Sequence, residues 1–318
     1  MFVIFLRFAD LSGTMKVSIT FWIGFHLLIF FLLALDLGIF NKKAHRIKVR
    51  EALIWICFWI SLALLFNLFT LVQWGRDKAL EFLTGYLIEY SLSIDNIFVF
   101  ILVFTYFSIK PEYQHKILYW GILGALIMRG IFIFTGIALI QKFEWIVIIF
   151  GGFLVFTGIR MLFQKEASVD PEKNRVARIF RKFFPITNDL HNSKFLVRQN
   201  GRLYVTPLFL VLLVIESSDL IFAVDSIPAI LAISKDRFIV YTSNIFAILG
   251  LRSLYFAVSG IMDLFRYLKI GIALILTFVG FKMLASYIHF EIPVLTSLIV
   301  IVSILFISIL ASILIKKE

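Results

Sequence analysis

From Trp55 to Trp74 the chain runs through Leu, Ile, Phe, Trp, Ala and a few neutral polar residues without one charged side chain. A stretch of about 20 such residues matches the hydrocarbon thickness of a bilayer. Similar runs recur along the whole sequence, more than one water-soluble core could absorb. Only 16% of the 318 residues are charged, against roughly 25% in an ordinary soluble domain. The chain is therefore expected to cross a membrane several times. Helices are expected, because isolated strands would leave backbone groups unpaired in lipid. The runs are also too continuous for the alternating pattern of an outer-membrane barrel.

The hydropathy pattern predicts an all-α membrane protein, a single transmembrane domain of nine spans: 21–40, 53–74, 80–108, 117–140, 144–163, 206–233, 238–262, 270–288 and 293–315. Cysteine and histidine usage excludes two kinds of chemistry. Cys57 is the only cysteine, so no internal disulfide, CxxC pair or thiolate cage can form. His45, His115, His191 and His289 fall in or beside connecting segments, and His26 alone lies in a span. A bis-histidine haem is not expected, nor any other cofactor, and nothing marks the chain as an enzyme.

The net charge of +11 is a topology signal rather than a nucleic-acid footprint. With nine spans, the connection holding Lys42 to Arg50 and the long one from 164 to 205 fall on one side, with Lys110, Lys116, Arg266, Lys269, Lys316 and Lys317. Twenty of the 31 basic residues lie there and seven on the other side. The positive-inside rule then places the N-terminus outside and the C-terminus in the cytoplasm. Met1 to Asp10 makes a poor signal peptide, and Met15, followed by Lys16, is the alternative start. In the long basic loop, Val176, Ile179, Phe180, Phe183 and Phe184 fall on one helical face, ringed by Arg175, Arg178, Arg181 and Lys182, with Pro185 ending the run. This is similar to a helix lying on lipid headgroups; a basic linker helix that packs nowhere special is the other reading.

An internal repeat relates 80–163 to 206–288. Asp95 precedes Arg129 much as Asp219 precedes Arg252. Arg129 precedes Arg160 much as Arg252 precedes Lys282, and the last pair sits in the matching strings Gly158-Ile159-Arg160-Met161-Leu162 and Gly280-Phe281-Lys282-Met283-Leu284. Each unit holds three spans, an odd number, so the second must run inverted. That plan is common in secondary transporters, whose sites lie near the midplane between the repeats.

Six carboxylates lie well inside the predicted spans, away from their ends: Asp36, Glu89, Asp95, Glu216, Asp219 and Asp225. A charged residue near a helix centre costs about 2.5 to 3.5 kcal/mol on insertion scales, so these groups must meet one another, water or a ligand. Arg129 and Arg252, mid-span, are expected to pair with acids on neighbouring helices. Arg160 and Lys282, nearer the ends, are expected to snorkel. After that pairing the surplus is negative, which suits a hard divalent cation held by carboxylate, carboxamide and carbonyl oxygens. Asn96 follows Asp95, and Glu216 and Asp219 share a helical face. Pro228 frees the carbonyl of Val224, which could break the sixth span. Asn67 and Asn244 read as partners between helices. The candidate metal-ligating set is Asp36, Glu89, Asp95, Asn96, Glu216, Asp219 and Asp225, with roles as proton carriers or gate groups open for Glu89, Glu216 and Asp225 and a solvated or pairing role open for Asp36.

Glu89 to Asn96, Glu216 to Pro228, Ala34-Leu35-Asp36-Leu37-Gly38 and Ala247 to Tyr255 resemble the TerC/Alx family of integral membrane proteins over nearly the whole chain. Pro111-Glu112-Tyr113-Gln114-His115 and Trp120 to Ala125 are most similar to its Alx-like branch. The resemblance implies an inner-membrane protein of a family named for tellurite resistance, with manganese efflux in several members. Other members are labelled redox modulators or linked to metal supply for exported enzymes. The family's acidic motifs fall on Asp36, Glu89, Asp95, Asn96, Glu216, Asp219 and Asp225. The first reading is therefore a divalent-cation exporter, most plausibly for manganese, by alternating access. The second is a non-transporting membrane scaffold or redox modulator acting through partner proteins, whose identity the sequence does not give. Direct tellurite transport conflicts with the negative surplus.

Overall fold

A computed structural model describes residues 17–38, 49–107, 109–163, 187, 194–199, 202–259 and 267–315. Ten helices account for nearly all of it: α1 (Ile19–Gly38), α2 (Val49–Trp74), α3 (Arg76–Tyr106), α4 (Pro111–Lys142), α5 (Ile146–Phe163), α6 (Pro207–Leu231), α7 (Arg237–Leu249), α8 (Leu251–Val258), α9 (Leu268–Tyr287) and α10 (Val294–Leu314). Their ends follow local chemistry. Gly75, at φ 90°, takes a left-handed turn that only glycine enters freely and so parts α2 from α3. Pro111 and Pro207 open α4 and α6, where the missing N–H would have had no helical partner anyway. The Asp236 carboxylate caps α7, accepting from the backbone N–H groups of Phe238 and Ile239 at 3.0 and 3.2 Å.

Among the described residues, seven helices are long and apolar enough to cross a membrane, and α7 with α8 makes an eighth if that bent pair is one span; Ile19–Ala34 of α1 is a shorter apolar helix. Large apolar side chains such as Leu65, Phe156 and Phe306 stand more than 60% exposed on the outside of the bundle. In water such a surface would drive association; in lipid it is the natural boundary. The protein is thus a multi-pass, all-α membrane protein.

The breaks do not fall where the sequence suggested. Pro228 leaves α6 continuous to Leu231, since it stands in the last turn and its own carbonyl accepts from the Ala232 N–H. α3 is continuous too. The break falls instead between α7 and α8, which meet at 41° at Gly250, close to the Tyr90 ring and Trp59. The connection before α6 carries an unforeseen hairpin, β1 (Leu196–Gln199) antiparallel to β2 (Arg202–Val205), with Leu196 opposite Val205 and Gln199 opposite Arg202. The predicted amphipathic helix at 173–184 lies outside the described residues.

Packing centres on α3, which touches α2, α6, α7 and α10, while α4 lies against α6 and α7. The most extensive helix contact is between α5 and α9, where small residues let two backbones meet. A Cβ on Gly158 would stand 2.3 Å from Thr277 Oγ1 and 2.7 Å from the Ala273 carbonyl oxygen, and one on Gly280 would stand 2.8 Å from the Gly151 carbonyl oxygen.

Candidate functional site

Arg129 is 1% exposed in the middle of α4. A guanidinium cannot lose its proton, so it stays buried only where carboxylates meet it. Two do. Glu89 of α3, itself fully buried, pairs with Arg129 Nη1. Asp219 of α6 takes Nη2 at 3.1 Å on Oδ1 and Nε at 3.4 Å on Oδ2, a two-pronged contact that fixes both groups. Asn96 of α3 donates its amide N–H to the same Asp219 Oδ1 at 3.2 Å, and Ser226 Oγ accepts from Nη1 at 3.5 Å. One cation thus answers two carboxylates contributed by helices α3 and α6.

Glu216 lies one turn before Asp219 and leans on α4 at Gly121 and Gly124. Its Oε2 is buried without a hydrogen-bonding partner. Glu216 and Asp219 line a cavity of about 10 Å³ with Phe100, Leu118, Leu251 and Arg252, room for about one water molecule. Arg252, just past the Gly250 bend, is 4% exposed, and its Nη1 stands 3.0 Å from His115 Nε2. Next to it Tyr255 donates its hydroxyl to Gln114 Oε1 at 2.9 Å. His115 was set aside in the sequence as a residue beside a loop; the signal that could have found it is Pro111, which starts α4 early enough to carry His115 inside.

The structure therefore brings together Glu89, Asn96, Glu216 and Asp219 with Arg129 and Arg252. Asp225 stands apart, hydrogen-bonded to Thr157 and near the Arg160 charge of α5. The side chains of Asp36 and Asp95 lie outside the described residues, although the backbone of Asp95 belongs to α3 beside Asn96. Among the described residues no three His, Cys, Asp or Glu side chains converge as a ready-made metal cage. Lys282 corrects another expectation: instead of snorkelling it is 6% exposed, and its ammonium donates to Ser297 Oγ at 2.9 Å. Arg160 is exposed, as expected.

Gly124 offers a test of the cavity. A Cβ there would stand 2.3 Å from Glu216 Oε1, the mobile end of a side chain that can swing aside. Gly124→Ala is expected to leave stability within about 1 kcal/mol of wild type while displacing the Glu216 carboxylate. On the sequence-based expectation that this carboxylate ligates a divalent cation, manganese affinity measured by calorimetry on purified protein should fall at least fivefold at an unchanged melting temperature.

A family model described as the integral membrane protein TerC family matches residues 74–318. An uncharacterised membrane protein of Myxococcus xanthus is 47% identical over 92% of this chain and 91% of its own length. A protein of Escherichia coli K12 provisionally named membrane-bound redox modulator Alx is 46% identical over 89% of this chain and 91% of its own. A membrane protein of Rickettsia bellii is 41% identical over 93% and 98%. No solved structure matches significantly.

Proposed function

The chain belongs to the TerC family of integral membrane proteins, and on that footing we propose that it exports a divalent metal cation, manganese first, across the inner membrane. The observation that carries the proposal is the pairing of Arg129 with both Glu89 and Asp219 beside the unpartnered Glu216 oxygen. With Arg252 counted beside Arg129, the three carboxylates of Glu89, Asp219 and Glu216 outnumber two guanidinium groups at a cavity the size of one water molecule. Oxygen donors of this kind favour hard divalent cations; the choice of manganese rests on the family resemblance. A metal entering here would meet Asp219, Glu216 and the Asn96 amide oxygen, with Glu89, Asp95, Asp225 and Asp36 as further candidates.

In this reading all nine spans cross the membrane, with α1 as the first and α7 plus α8 as the seventh, the N-terminus outside and the C-terminus in the cytoplasm. The two three-helix units are inverted repeats that rock about the site. The contact pattern supports the repeat: α3 meets α7 as α6 meets α4, and α5 meets α9, as a two-fold relation requires. Tellurium resistance would follow from the same transport.

The test is manganese retained by cells loaded with the ion and expressing wild type, Asp95→Asn or Asp219→Asn at equal protein level. Asp219→Asn keeps the shape and leaves Arg129 paired with Glu89, so loss of export there reports chemistry rather than collapse. Each variant is expected to retain severalfold more manganese than wild type; equal retention in all three refutes export through these residues.

The name of the E. coli relative favours a second reading, a redox modulator or membrane scaffold. Cys57, the only cysteine, is exposed on the outer face of α2, so such a role needs partner proteins. It predicts that deleting residues 173–184 abolishes function while the aspartate substitutions do not.

A further inference from the structure

Apart from Glu89 Oε1, which is ion-paired with Arg129, nine buried side-chain oxygen and nitrogen atoms among the described residues have no hydrogen-bonding partner within the protein. Six of them lie on three helices: Asn67 Oδ1 on α2, the Tyr86 and Tyr90 hydroxyls and Ser93 Oγ on α3, and both amide atoms of Asn244 on α7. These helices pack on one another. Phe66, Phe82 and Phe246, one from each, bring their ring centroids within 4.8 to 6.0 Å. The Tyr86 ring stacks on Phe82 at 6.5 Å. Tyr86, Tyr90 and Ser93 recur at spacings of four and three residues, one stripe on α3, with the two tyrosine rings 5.6 Å apart.

None of this is accidental surface polarity: Asn244 is 0% exposed, Ser93 1% and Tyr86 3%. Each buried polar atom without a partner costs about as much as a lost hydrogen bond, and six together would remove a large share of a fold's net stability. The chemistry of the set selects what meets it. Hydroxyls and carboxamides both donate and accept and carry no charge. Hydrocarbon would satisfy none of them, and a divalent cation would lack anionic ligands. Water, which makes two to four hydrogen bonds in such sites, satisfies all of them. We propose that α2, α3 and α7 hold a row of water molecules along Asn67, Tyr86, Tyr90, Ser93 and Asn244, and that this row relays protons through the bundle beside the Arg129 site. The water molecules and the hydroxyls of Tyr86, Tyr90 and Ser93 pass a proton by accepting one hydrogen bond and donating another, while the Asn67 and Asn244 carboxamides only hold the water in line, so nothing is consumed and no charge is stored.

The test uses the full chain and no metal, so it stands or falls independently of metal export. Radiolytic hydroxyl-radical footprinting generates radicals from bound water, and Tyr255, also 3% exposed but donating to Gln114, is the internal control. Tyr86 and Tyr90 are expected to oxidise at least fivefold faster than Tyr255, and Asn244→Leu should bring Tyr86 down toward the control. Tyr90→Phe, nearly isosteric, serves the same end at Tyr86 should the leucine variant not fold. Rates at Tyr86 and Tyr90 equal to that of Tyr255 overturn the proposal. For the relay, liposomes containing the protein are given a potassium diffusion potential with valinomycin and read with a trapped pH dye. Proton entry is expected to exceed that of protein-free liposomes and to fall at least threefold in Tyr90→Phe; entry no faster than in protein-free liposomes overturns the relay.

Discussion

Arg129→Leu is expected to cost about 3 to 5 kcal/mol of folding stability, the range for removing one partner of a buried ion pair. Two carboxylates depend on this one guanidinium, Glu89 at 0% and Asp219 at 3% exposure. Without it both stay buried with like charges facing each other across α3 and α6. Against a net stability of about 5 to 15 kcal/mol, that loss removes from about a fifth to all of it. Size-exclusion profiles and melting curves in detergent should show most of the variant aggregated or melting far below wild type. Arg129→Lys should fall between, because a point charge cannot hold both oxygens of Asp219 and Glu89 at once. The decisive variant combines Arg129→Leu with Glu89→Gln and Asp219→Asn. Removing the carboxylate charges removes the penalty, so most of the melting temperature should return. An Arg129→Leu protein that melts like wild type would mean that the cluster does not hold α3, α4 and α6 together.

Gly158→Val is expected to part α5 from α9. Overpacking costs about 1 to 3 kcal/mol when neighbours can adjust, and here two of the three nearest atoms are backbone, the Ala273 carbonyl oxygen at 2.7 Å and the Thr277 nitrogen at 2.8 Å. Backbone cannot rotate away as a side chain can, so the upper end of that range or beyond is expected. Gly152, on the same helix with nothing within 4 Å of its added Cβ, is the control: Gly152→Val should change stability by no more than about 0.5 kcal/mol. Equal melting temperatures for the two variants would contradict the close approach of α5 and α9.

The helices were legible because length and hydropathy carry them: the predicted 53–74 and 293–315 end within a residue of the observed C-termini of α2 and α10. The hairpin was legible too, and missed. Asn200-Gly201, flanked by Leu196-Val197 and Leu203-Tyr204-Val205, is the sequence signal for a two-residue hairpin turn; a dozen basic and polar neighbours drew attention to loop charge instead. At Pro228 the general rule misled: the bond it forgoes is the one to the Val224 carbonyl, one turn earlier, and α6 nevertheless runs on to Leu231.

Which acids needed partners could be read from position, since a charge within twenty apolar residues has no water to meet. Which partner each took could not. Arg129 reaches α3 and α6 together because packing sets three helices around it, and Arg252 meets His115 because the chain bends at Gly250. Lys282 meets Ser297 because α10 packs against α9. Hydropathy acts along one segment at a time and is written residue by residue. The convergence of carboxylates, glycines and amides depends on distances between segments more than 120 residues apart, and those exist only once the helices have packed.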